Sequence, residues 1–139
     1  MKPDNMKKTY PDALGAIQGA LALEHDPAEV EAVRWVLSLP QRLRTTNNLL
    51  LLGRRFAKRF VAKPVKIYHV PDGATYFNHT KRYVQLGKPE LAPLLHEIGH
   101  AKYGPSEETA VAYSLGLLLK ADQSFVPILR GHILENDPY

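Results

Sequence analysis

Two histidines, a glutamate and the intervals between them are the first chemistry legible in this chain. Residues 94–101 read Leu-Leu-His-Glu-Ile-Gly-His-Ala. On an α-helix, side chains four residues apart project in the same direction. His96 and His100 would therefore aim two imidazoles at one point, and neutral imidazole suits Zn²⁺. Glu97 directly follows the first histidine, beside a metal rather than on it. A carboxylate there can take a proton from a water held by the metal. Surface histidines can fall at this spacing by chance. Here the chain has 6 His in 139 residues. The apolar neighbours Leu91, Leu94, Leu95 and Ile98 predict a buried helix, where ionisable groups need a partner or a metal.

A catalytic zinc centre normally takes three protein ligands. Just after the motif, Gly104 suits a helix C-cap, Pro105 cannot continue a helix, and Ser106 suits the N-cap of the next. The pattern predicts a tight αα-hairpin with a second helix from Glu107 to about Ala121. Glu107 and Glu108 both fall near its closed end and are the candidates for third ligand. Glu107 shares a helical face with Ala110, Val111, Ser114, Leu117 and Leu118, the apolar face, whereas Glu108 lies farther round with Ala112 and Leu115. That favours Glu107, with Glu108 as the alternative. The acid that is not a ligand would still complement the helix dipole.

This stretch resembles the gluzincin metallopeptidases, especially their smallest members and the ImmA/IrrE-like group. In those, a His-Glu-x-x-His helix precedes one carrying Glu-x-x-Ala-x-x-Phe/Tyr; here the second pattern is Glu107-Glu108-Thr109-Ala110-Val111-Ala112-Tyr113. The resemblance covers about residues 65 to 121. It implies His96, His100 and Glu107 as Zn²⁺ ligands and Glu97 as general base. This chain has a shorter gap between His100 and Glu107, and Val111 where many gluzincins carry Asp or Asn.

The elements that must position these groups can be read along the chain. Apolar residues at Leu14, Ile17 and Leu21 predict a helix over Asp12 to Leu23. Asp26-Pro27 starts a second helix that runs to about Leu39 and buries Val30, Val33 and Leu37, with Trp35 at its edge. Leu49, Leu52, Phe56 and Phe60 repeat at helical spacing within a third helix over Gln41 to Ala62, which Gly53 could break. After Pro64 the period changes. Val65 to Val70 reads as a strand, Pro71-Asp72-Gly73 as a turn, and Ala74–Phe77 with Arg82–Leu86 as a hairpin around residues 78–81. The metal-bearing helix then begins at Pro89. The expected fold is α+β: N-terminal helices, a small three-stranded, mainly antiparallel sheet, then the αα-hairpin. An edge strand of the sheet could receive a substrate backbone.

Composition places the chain as one globular domain over residues 1–139, with 45% apolar and 23% charged residues. Residues 1–10 are expected to be frayed. Residues 124–139 form a C-terminal segment with Phe125, Val126, Ile128, Leu129, Ile133 and Leu134. It could cover the core or, as in some small gluzincins, lie in the active-site cleft and confer latency, with His132 the residue to watch. The absence of cysteine excludes disulfides, thiolate zinc ligands and a cysteine nucleophile. Without an apolar signal core or a long apolar run, the expected setting is soluble and cytoplasmic, away from membranes.

These readings converge on a zinc-dependent endopeptidase acting on a peptide or protein substrate, with Glu97 as base. Tyr76, Tyr103, Tyr113 and His132 are candidates to stabilise the oxyanion. The net charge of +4 suggests an alternative. Between Ala32 and Pro71 there is no acid, while Arg34, Arg42, Arg44, Arg54, Arg55, Lys58, Arg59, Lys63 and Lys66 are all basic. Such a region can contact nucleic acid, above all through Arg54, Arg55, Lys58 and Arg59. The protein would then be a nucleic-acid-associated regulator with a structural or vestigial zinc site.

Overall fold

The computed structural model describes residues 13–122. The expectations for residues 1–10 and 124–139, His132 included, lie outside them. Helix α1 spans Ala13–Ala22, α2 Pro27–Ser38 and α3 Thr46–Phe60. Strands β1 (Lys66–His69), β2 (Tyr76–Asn78) and β3 (Tyr83–Leu86) follow, and helices α4 (Leu91–Tyr103) and α5 (Glu107–Ala121) complete the order. The architecture is the expected α+β, with two C-terminal helices packed together.

The sheet differs from expectation in one respect. Its order is β1-β3-β2, and β1 runs parallel to β3 while β2 runs antiparallel to it. The sheet is therefore mixed. The Pro71-Asp72-Gly73 turn does not fold β1 back onto its successor; it carries the chain to the far side, leaving a place for β3 in the middle. The β2–β3 hairpin forms as expected, with Phe77 opposite Val84. Both residues are buried, so one face of the sheet belongs to the core.

α2 begins where the sequence pattern puts it. The Asp26 carboxylate accepts from the Ala28 N–H, and Pro27 occupies the first turn. The third helix is shorter than expected. Gln41–Leu43 forms a separate 3₁₀ turn, and α3 starts only at Thr46 because the Thr45 hydroxyl caps the Asn48 N–H at 3.2 Å. Gly53 does not break it. A Cβ at Gly53 would lie 2.9 Å from Leu94 Cδ2, so the missing side chain lets α3 approach α4. The buried stripe of α3 is Leu49, Leu50, Gly53 and Ala57, while Leu52, Phe56 and Phe60 are only partly covered. In α1, Ile17 and Ala20 are buried but Leu21 is exposed, against expectation. In α2, Val33 and Val36 are buried, Val30 and Leu37 are partly buried and Trp35 lies exposed at the edge.

α5 is the centre of the core, packed by α4, α1 and α2. Its approach to α4 is close. A Cβ on Gly99 would meet Ala110 Cα at 3.2 Å and Tyr113 Cδ2 at 3.1 Å. On the opposite side Gly116 faces α1, where a Cβ would lie 2.6 Å from the Ala20 carbonyl oxygen. α4 in turn rests on β3 and β2.

A charged cluster fastens α2 to the α4–α5 pair. Glu29 is 1% exposed. Both its oxygens accept from Lys102 Nζ at 2.9 Å, and it also accepts from the Tyr113 hydroxyl. Burial, together with the Glu29 carboxylate, pushes the Tyr113 hydroxyl far above the ordinary tyrosine range, so it remains a donor. Next to it, His25 Nε2–H donates to the Tyr113 carbonyl at 3.0 Å while Nδ1 accepts from Lys120 Nζ at 2.9 Å. Removing Glu29 would leave an ammonium and a buried hydroxyl without their acceptor. Since Lys102 keeps partial access to water, Glu29→Ala is expected to cost about 3 kcal/mol, the low end for breaking a buried pair. That corresponds to a fall of about 10 °C in Tm for a domain of this size. A thermal melt giving a loss under about 1 kcal/mol, as for an ordinary surface substitution, would refute the role.

Candidate metal centre

α4 carries the motif on a helix whose ends are well defined. Pro93 falls in the first turn, where a missing N–H costs nothing. At the other end Gly104, with φ of 102°, takes a conformation open to glycine and returns its N–H to the His100 carbonyl at 2.9 Å. Two residues later the Ser106 hydroxyl accepts from the Thr109 N–H at 3.1 Å and starts α5. The reversal is complete within Gly104-Pro105-Ser106. With Gly99 allowing close contact, the first turn of α5 lies against the histidine face of α4.

His96, His100 and Glu107 meet there. His96 Nε2 is 3.0 Å from Glu107 Oε1, and His100 Nε2 is 2.9 Å from Glu107 Oε2. One nitrogen or oxygen from each of the three lies within 4.8 Å of the others. Tetrahedral zinc with bonds of about 2.0–2.1 Å separates its ligand atoms by roughly 3.3 Å. The short gap between His100 and Glu107 thus suffices to close the group. Glu108, the alternative ligand, is exposed and outside it. Val111 is buried in the core.

The hydrogen bonds set the electronic state of the site. His100 Nδ1 faces the Gly104 carbonyl at 2.9 Å, and a carbonyl can only accept, so Nδ1 carries the proton. A neutral His100 then turns its Nε2 lone pair toward a carboxylate. Two electron-rich atoms at 2.9 Å need a cation between them, either a proton or a metal ion. Burial opposes protonation of His100, but the bonds to Glu107 and Gly104 outweigh it and raise the pKa. Burial alone would likewise raise Glu107, yet the His100 and His96 hydrogen bonds hold its pKa at about 2. Two imidazoles and one carboxylate could hold a metal ion here, and such a donor set is one that zinc takes.

Glu97 is 8% exposed and is not among the converging ligand atoms. Burial lifts its pKa to about 7, with the Glu107 charge adding to the rise; the His100 charge and a backbone hydrogen bond from Phe77 oppose it. That last contact places Glu97 against β2, an edge strand of the sheet.

Two of the described oxyanion candidates have their hydroxyls engaged elsewhere. The Tyr113 hydroxyl is committed to Glu29, and the Tyr76 hydroxyl pairs with Tyr83 and Gln85. The Tyr103 ring stacks edge-on against Tyr113 under Lys102. The structure instead brings in His79, which lies in the β2–β3 turn with its ring 5.7 Å from that of His100. Neither His79 nor the Glu29 cluster carries a periodic signal in the sequence.

In the basic region, several arginines hold backbone carbonyls. Arg54 donates to the Ile67 carbonyl at 2.7 and 3.1 Å, Arg44 to those of Leu37 and Leu39, and Arg34 to those of Lys120 and Ala121. Arg55 and Arg59 line an apolar cleft with Trp35, Phe56 and Phe60, and Lys58 is exposed. No helix of the described residues is long and apolar enough to cross a membrane. No family model matches the chain, and neither does any curated protein or solved structure.

Proposed function

We propose that the protein is a zinc-dependent metallopeptidase of the gluzincin type. His96, His100 and Glu107 would hold the ion, and Glu97 would act as general base. The observation that carries this reading is the closure of two buried imidazoles on one carboxylate, with His100 Nδ1–H tied to the Gly104 carbonyl. Such a bond to the far nitrogen orients a metal-ligating histidine and keeps its Nε2 lone pair available.

When bound, zinc lowers the pKa of a water in its open position and polarises a substrate carbonyl. Glu97 accepts the proton of the attacking water on a carboxylate oxygen, then passes it to the amine that leaves. Its burial between α4 and β2 suits this role, because burial strengthens the hold of a carboxylate on a proton and the charge of a bound ion would offset that rise. β2 lies at the sheet edge beside Glu97 and can receive an extended peptide by strand addition, which would bring the scissile bond past the base.

The test is zinc-dependent cleavage. Purified protein loaded with zinc is expected to cut members of a synthetic peptide library, read by mass spectrometry, and to stop when the metal is chelated. A zinc-loaded protein that cuts no peptide, or one that purifies with iron and not zinc, would overturn the reading.

A further inference from the structure

We propose that His79 is a further catalytic residue, whose imidazole N–H donates a hydrogen bond to the substrate carbonyl oxygen as negative charge gathers on it. The inference rests on the peptidase reading above.

The first observation is where the centre opens. The His96 and His100 side chains are 3% and 7% exposed, while that of Glu107 is 37% exposed. Of the three groups, Glu107 is the one open to solvent. His79 is exposed and lies close enough to Glu107 to feel its charge. Its ring is edge-to-face with His100, at 5.7 Å between centroids and 81° between planes. It stands outside the group of atoms that could ligate a metal. An imidazole just beyond the ligands, facing solvent, is placed for a substrate atom.

The second observation is that His79 is held there. Its ring also meets the buried Phe77 ring, at 4.8 Å between centroids and 84° between planes. The turn that carries it is closed by Arg82 N–H to the Asn78 carbonyl at 2.8 Å and by Lys81 N–H to Asn78 Oδ1 at 2.7 Å. Arg82, with φ of 55°, then clamps this turn to the metal-bearing helix by donating to the Ala101 carbonyl at 3.1 Å, one residue beyond His100. The histidine is thus fixed to the same helix as two of the ligands. A donor pre-set where charge develops needs no reorganisation during the reaction, which is what makes such groups effective.

His79→Phe keeps the ring and its contacts with His100 and Phe77 but removes the N–H. His79→Gln restores a donor. Zinc content, Tm, KM and kcat would be measured on the best-cleaved library peptide, together with the affinity for a phosphinic analogue of that peptide. The expected result for His79→Phe is unchanged zinc content and Tm, with kcat and phosphinic-peptide affinity both reduced by about 10²–10³-fold. KM should stay within about twofold, because the bond forms with charge and not with the ground state. His79→Gln should recover part of the loss. An active wild type with an equally active His79→Phe would overturn this inference alone. A drop in zinc content parallel to kcat would also overturn it, by making His79 a support for the ligands. A zinc-bound wild type that cuts no peptide would overturn the peptidase reading and this inference with it.

Discussion

Glu97→Gln is expected to keep its zinc and lose about 10²–10⁴-fold in peptide hydrolysis, the usual worth of a positioned general base. The substitution is nearly isosteric, so the packing of α4 on β2 and β3 should survive. Glu97 lies outside the three converging ligand atoms, so the metal has no reason to leave. What disappears is a carboxylate that can accept a proton: an amide cannot, whatever its burial. The native carboxyl is lifted to about 7 by its burial, and the positive charge of a bound ion would draw it back down, keeping it ionised at neutral pH. Zinc content by elemental mass spectrometry and the rate on a library-selected peptide are the two measurements. A Glu97→Gln protein as active as wild type would sink the mechanism. A protein that lost zinc as well would move Glu97 into the ligand set.

Removing ligands should have the opposite signature. His96→Ala, His100→Ala and Glu107→Ala are each expected to bring zinc from about one per chain to background, since a centre with two protein ligands no longer competes with buffer. Glu108→Ala should retain full occupancy. The contrast is sharp because Glu107 contacts both imidazoles at 2.9–3.0 Å while its neighbour is exposed. Stability provides an independent readout. A ligand that binds only the folded state adds about 4 kcal/mol at a thousand times its Kd, so zinc should raise the wild-type Tm and that of Glu108→Ala but not those of the ligand variants. Loss of metal with Glu108→Ala and not with Glu107→Ala would show that the first turn of α5 is rotated relative to the arrangement described.

How much of this could be read beforehand depends on the range of each interaction. His96, Glu97 and His100 are related by one turn of helix, so their mutual geometry follows from the helical period alone. The reversal at Gly104-Pro105-Ser106 is likewise local chemistry, a glycine at positive φ followed by an N-cap. Glu107 is an intermediate case. Its apolar neighbours on α5 favoured it over Glu108, but its contact with the imidazoles requires two helices in close approach, which Gly99 and Ala110 permit. The residues that escaped are those whose neighbours lie far along the chain. β3 takes the middle of the sheet, parallel to β1, because a burial pattern along a strand says nothing about its partner or direction. α3 buries Gly53 while Phe56 and Phe60 stay only partly covered, because a Cβ at Gly53 would already lie 2.9 Å from Leu94 on α4. Glu29 sits in a first helical turn, and only packing across the chain encloses it with Lys102 and Tyr113. The position of His79 beside His100 exists only because Arg82 clamps a hairpin turn to α4. The residue order dictates two imidazoles beside a carboxylate and a helical hairpin through interactions a few residues long; the approach of Glu107, the place of His79 beside His100 and the buried ion pair arise from packing across the chain, where shape and desolvation act between segments that no periodicity connects.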